Sequence, residues 1–205
     1  MRSPLRFLVS TLSLAATAVA AAPALNTTIL EPWLITRLTT HSPSGYPANH
    51  PYSRLSFGIS DPNTIVLGET RFGDAAFEPS AVNCTVWWMA YGDVNPRSGA
   101  WVNTCDETES VQGKWTFVVL DGSEEQRGVT TDFRLRVTLE EAVIVGTGGV
   151  VSLKFEGEAA FKVGENMSGA CGGSGVCNWG LKSENKPVEV KQKLVELTCV
   201  TGTCE

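Results

Sequence analysis

Histidine is scarce in this chain, with two in 205 residues, and both, His41 and His50, fall in one stretch rich in Ser, Pro, Gly and Asn. No cysteine or carboxylate cluster accompanies them, so no metal site is expected there. A serine or cysteine nucleophile needs a base to activate it, and two histidines in one loop are a thin supply. No glycine-rich dinucleotide fingerprint follows a strand-like run and no phosphate loop is present, so no nucleotide cofactor is implied. Basic clusters are also missing. Lys and Arg number 16 against 22 Asp and Glu, for a formal charge of −6. An acidic chain of this kind is a poor partner for nucleic acid or for an anionic membrane. Beyond the N-terminus, no stretch has the roughly 18 uninterrupted apolar residues that a membrane span needs.

The N-terminus itself is informative. Met1-Arg2-Ser3-Pro4-Leu5-Arg6 is followed by an apolar run from Phe7 to Ala18 and then by small residues. A cationic start, a short apolar stretch and a small-residue exit describe a secretory signal peptide, with cleavage readable after Ala20 or Ala22. The expected organisation is a signal at 1–20, a flexible leader at 21–32, and one domain at 33–205, extracellular and soluble. Removing Arg2 and Arg6 with the signal takes the charge to about −8. The remaining length fits one domain with a substantial core.

Six cysteines are present, Cys84, Cys105, Cys171, Cys177, Cys199 and Cys204. An even number in a secreted chain implies a disulfide framework. Local closures 171–177 and 199–204 are the simplest arrangement, but six cysteines allow fifteen pairings. Three sequons, at Asn26, Asn83 and Asn166, are glycan acceptors on a eukaryotic secretory route.

Between Cys84 and Cys105 lie Thr85-Val86-Trp87-Trp88-Met89-Ala90, a polar turn, and Trp101-Val102-Asn103-Thr104. Two apolar runs with a cysteine at each outer end predict a stapled β-hairpin. If Cys84 bonds Cys105, Val86 sits opposite Asn103 and Trp88 opposite Trp101. Because side chains alternate along a strand, Trp88 then faces the core while Thr85, Trp87 and Met89 face outward. An exposed tryptophan can anchor a partner, which makes Trp87 the interaction candidate, unless a second layer covers it.

Elsewhere the chain alternates with period two at Trp33–Leu38, Leu55–Ile59, Trp115–Val119, Phe133–Leu139 and Val151–Val163. Ile65–Leu67 and Val143–Val145 are shorter runs, and Val188–Val200 reads as a strand although helical spacing also fits it. Thr39 to Tyr52, Arg71 to Ser80 and Gly164 to Lys186 read as loops. Gly146-Thr147-Gly148-Gly149 reads as a hairpin turn, and Gly157 as a bend or bulge. About nine strands with turn signals and little helix predict an all-β, single-domain antiparallel β-barrel or sandwich stapled by disulfides.

Glu156 and Glu158 project from one face of a strand, and paired carboxylates can carry glycoside hydrolysis. They alternate with the apolar face, so solvent is their expected environment. Glu140-Glu141 and Glu124-Glu125 flank turns and rank lower.

The order of Trp33-Leu-Ile-Thr-Arg-Leu38, Leu55-Ser-Phe-Gly-Ile-Ser-Asp-Pro-Asn63, Cys84…Cys105, Trp115-Thr-Phe117 and the run at Phe133 resembles small secreted proteins of filamentous fungi, the Alternaria major-allergen family (Alt a one type). The resemblance implies a compact β-barrel with two intrachain disulfides and a non-enzymatic role at the host interface. Family members are elicitors of plant defence or effectors that bind host defence proteins, and some are allergens. By position, Cys84–Cys105 matches the family's central disulfide, and Cys171 and Cys177 match its second. The chain departs from the pattern in two respects. No cysteine precedes Cys84, which leaves a covalent dimer without its bridging residue, and Cys199 and Cys204 are additional. The function implied is binding of a host protein or a cell-wall component without catalysis. A carbohydrate-active enzyme using Glu156 and Glu158, or a sugar- or small-ligand-binding module using Trp87, is the alternative.

Overall fold

The computed structural model describes residues 30–46, 50–70, 72–91, 96–106, 113–123, 128–146 and 148–201. The expected signal and most of the expected leader, with Asn26, lie outside the described residues, as does Cys204.

Thirteen strands form among the described residues, and the only helical element is one 3₁₀ turn at Ser183–Asn185. One sheet contains β1 (Trp33–Ser42), β2 (Tyr52–Asp61), β5 (Ser80–Met89), β10 (Met167–Cys171), β11 (Cys177–Leu181) and β12 (Val188–Val190). Its order is β10-β11-β1-β2-β5, with β12 paired to the start of β1. The second sheet has the order β13-β9-β8-β7-β6, from β6 (Asn103–Thr104), β7 (Lys114–Asp121), β8 (Asp132–Val145), β9 (Gly149–Lys162) and β13 (Gln192–Thr201). A separate hairpin, β3 (Ile65–Thr70) with β4 (Gly73–Phe77), caps one end near β8. Every strand pair is antiparallel, and the two sheets do not join into a closed barrel. Of the two expected architectures, the chain adopts the sandwich.

The core is where the inward-facing rows of the two sheets meet. Leu55, Phe57 and Ile59 on β2 and Val82, Cys84, Val86 and Trp88 on β5 are buried, as are Phe133, Leu135, Val137 and Leu139 on β8. Aromatic side chains bridge the layers edge to face. Trp33 meets Trp115 at 4.9 Å and Phe57 meets Phe117 at 5.0 Å between ring centroids. This geometry puts the positive ring edge against the negative face.

Cys84 and Cys105 are bonded, but the predicted hairpin between them does not exist. Val86 pairs with Leu55 and Trp88 with Ser53, both on β2, whereas Asn103 pairs with Phe117 on β7. The chain leaves β5 in the first sheet and enters β6 in the second, so the disulfide joins the two sheets. Alternation along β5 reports which face is buried but carries no information about the neighbouring strand. The inward orientation of Trp88 and the outward one of Trp87 survive, because they depend on the alternation alone.

Three stretches expected to be loops are partly strand. β1 runs on through Ser42, which puts His41 on a strand and not in a loop. β4 lies within 71–80, and β10 and β11 lie within 164–186. Cys171 pairs with Cys177 at the end of the β10–β11 ladder and is disulfide-bonded to it. Cys199 is also in a disulfide. The two runs at Phe133 and Val143 are one 14-residue strand. The Val188–Val200 run is strand, interrupted once between β12 and β13. Gly157 is not a bulge, since its register with Val137 is continuous. A Cβ there would lie 2.8 Å from Val190 Cγ1 and 3.1 Å from Lys191 O, so the glycine admits the β12–β13 junction.

Candidate functional site

The outer face of the first sheet carries a row of side chains that crosses four strands. Antiparallel register sets Asn178 of β11 beside His41 of β1, His41 beside Arg54 of β2, and Arg54 beside Trp87 of β5. The next outward pair on β2 and β5 is Tyr52 and Met89. Trp87 is 47% exposed and Met89 44%, with Tyr52 at 38%. Among the described residues, no second layer covers Trp87.

Local contacts hold this face in shape. The Arg54 guanidinium carbon lies 5.1 Å from the centre of the Trp87 ring, within cation–π range. The His50 ring lies 6.1 Å from Trp87 and 5.1 Å from Tyr52. His41 Nδ1 is 2.9 Å from Asn178 Oδ1. Tyr91, exposed at the strand end, donates its hydroxyl to Pro43 O at 3.0 Å. The result is a shallow aromatic platform with one cation at its centre. The described side chains of this platform offer stacking and hydrogen bonding.

The same face carries Asn83, exposed on β5 and in line with Thr85 and Trp87. Arg37 reaches over β2 and donates to Asn83 Oδ1. Gly58 makes that path possible, because a Cβ there would sit 3.0 Å from Arg37 Nε. The bond engages the oxygen and leaves the amide nitrogen, the atom a glycan would take, open. Asn166 is held differently. Its Oδ1 accepts from Lys162 N at 2.9 Å and its Nδ2 donates to Ala160 O at 2.8 Å, which fastens the turn between β9 and β10. Asn166→Ala removes both bonds and is expected to destabilise the fold by about 1–2 kcal/mol in urea titrations; an unchanged midpoint would show that the turn holds without them.

Glu156 and Glu158 point outward on β9, into a row of cations. Arg134 Nη1 is 3.1 Å from Glu158 Oε2, Arg136 Nε is 2.7 Å from Glu158 Oε1, and Lys193 Nζ is 3.7 Å from Glu156 Oε1. The bond to Glu158 also raises the Arg136 pKa above its ordinary value. These carboxylates stand side by side on one strand of an open sheet, not on opposite walls of a cleft.

A buried carboxyl that the sequence reading ranked low lies elsewhere. Glu141 is 4% exposed and lines a cleft of about 1210 Å³ between the β3–β4 hairpin and the end of β8. Burial, with a smaller contribution from the charge of Asp61, pushes its pKa up to about 8. The available signal was phase: Phe133, Leu135, Val137 and Leu139 face inward, and Glu141 is the next place in that series. Among the described residues, no group of three or more His, Cys, Asp or Glu side chains is placed to hold a metal ion, at this cleft or elsewhere.

Compared with protein-family models, curated proteins and solved structures, the chain matches none.

Proposed function

We propose that this is a secreted, non-catalytic binding protein, of the fungal effector or elicitor kind, that engages a host protein or cell-wall component through the outer face of β2 and β5. The observation that carries this is Trp87, almost half exposed on a flat sheet face with Arg54, Tyr52, His50 and Met89 around it. Tryptophan, tyrosine, arginine and methionine are the side chains enriched where proteins bind one another. Large rigid rings cost little conformational entropy when a partner covers them. The same platform suits a sugar ring stacked on Trp87, which is how a wall polysaccharide would be held. The disulfides, and the absence of any helix long and apolar enough to cross a membrane among the described residues, are compatible with an extracellular location. The N-terminal signal supports the secreted reading.

Trp87→Ala is expected to weaken partner binding by roughly 30-fold or more, as anchor residues do. Its melting temperature should stay close to wild type, because the ring packs on the surface and not in the core. Infiltrating both proteins into host leaves and titrating them with soluble wall oligosaccharides, read by tryptophan fluorescence, checks this. Equal responses from wild type and variant would rule out the platform.

A further inference from the structure

We propose that the cleft between the β3–β4 hairpin and the end of β8 binds a small organic cation with an apolar body, such as an arylalkylamine, its ammonium group seated against Glu141. Three features of the cleft point to this chemistry.

The first is charge. Asp74, Glu78 and Glu141 line the cleft, and no described lining residue is Lys or Arg. A cation is favoured there and a carboxylate ligand is repelled. The second is apolar lining, contributed by Phe72 and Phe77 on the hairpin side and by Val143 and Ile144 of β8. This combination of hydrophobic lining and a few polar groups is typical of small-molecule sites. The third is Glu141 itself. The residue is 4% exposed, and what its side chain lines is the cleft. A ligand ammonium in the cleft would give this carboxyl a charge-assisted donor.

Proton linkage follows from the same environment. The charge of Asp61, at the end of β2, bears on Glu141, while Asp74 and Glu78 line the same cleft from the hairpin side. Burial, with the smaller contribution of Asp61, keeps Glu141 protonated at neutral pH. Binding an ammonium ion releases that proton to the buffer and leaves a carboxylate beside the cation.

The test is isothermal titration calorimetry of the full mature chain at neutral pH with tryptamine, its neutral isostere tryptophol, and indole-3-acetate. Tryptamine should bind at least roughly tenfold more tightly than tryptophol, with indole-3-acetate weaker still. Tryptamine binding should release about one proton in buffers of differing ionisation enthalpy. Glu141→Gln should weaken tryptamine at least roughly tenfold and abolish the proton release. Asp74→Asn, on the cleft wall and away from the core, should weaken it severalfold without altering the melt, and decides the question should the Glu141 variant fail to fold. No saturable tryptamine heat, equal affinity for tryptophol, or full affinity in both variants would overturn the proposal.

Discussion

Glu141→Gln is expected to be more stable than wild type at pH 7–8 and to lose that advantage as the pH falls to 4. In the unfolded chain this carboxyl ionises near its ordinary value of 4.5; in the folded protein it holds its proton until about 8. The folded pKa is the raised one, so the native state binds the extra proton between those values. Stability is therefore fully present below about pH 4.5, declines through the interval, and has lost this contribution once the pH passes 8. One pKa unit corresponds to about 1.36 kcal/mol, so the decline between pH 4.5 and 7 amounts to roughly 3 kcal/mol. Glutamine has nearly the same shape and cannot ionise. Any fixed cost of burying its amide shifts the whole curve without tilting it. The difference between wild type and variant in urea midpoints across this range reports Glu141 together with the charge of Asp61 coupled to it, and parallel curves would show that the carboxyl is not buried as described.

The second large effect is expected from the inter-sheet disulfide. Cys84 and Cys105 are 21 residues apart, and in the chain-entropy treatment a loop of that length contributes about 3 kcal/mol. Both sulfurs are buried in the core, so Cys84→Ser also leaves hydroxyl and thiol groups in apolar surroundings, at a further cost of about 1–3 kcal/mol. Against a total stability of about 5–15 kcal/mol, the variant should fold in low yield and melt far below wild type. Cys171 and Cys177 are 6 apart, worth about 2 kcal/mol at most by the same treatment, and they lie at the end of a hairpin with Cys171 exposed and Cys177 half-buried. Cys171→Ser with Cys177→Ser should therefore loosen β10–β11 locally and leave the core intact. Similar melting of the two variants would mean that the inter-sheet link does not organise the sandwich.

That contrast also shows where the sequence was legible. Alternation identified the long strands and the orientation of each residue on them, including Trp87 outward and Trp88 inward, because one buried face imposes a period of two. It could not identify partners. The segment between Cys84 and Cys105 has the composition of a hairpin, yet β5 finds a longer neighbour in β2, ten residues in continuous register, and β6 is taken by β7. The short strands β4, β10 and β11 were hidden for a different reason. They are held by backbone bonds, and their glycine, serine and asparagine content reads as loop when partners are unknown.

The candidate site was only half visible for the same reason. Trp87 could be singled out from its own strand. Arg54 and His41 could not be joined to it, since they reach the platform through pairings across β5, β2 and β1. Glu141 was passed over because two adjacent glutamates look like a solvated turn. In the structure the strand runs straight through them, and one of the pair is carried inside.

The most direct measurement of the central claim is retention of the purified mature protein by isolated host cell wall and by apoplastic host protein, wild type beside Trp87→Ala, with both shown to melt alike. Saturable retention of wild type by one of these, reduced by roughly 30-fold in the variant, is the predicted result. Retention that is unchanged in Trp87→Ala, or no retention of wild type by either material, would contradict a binding role for the outer face of β2 and β5.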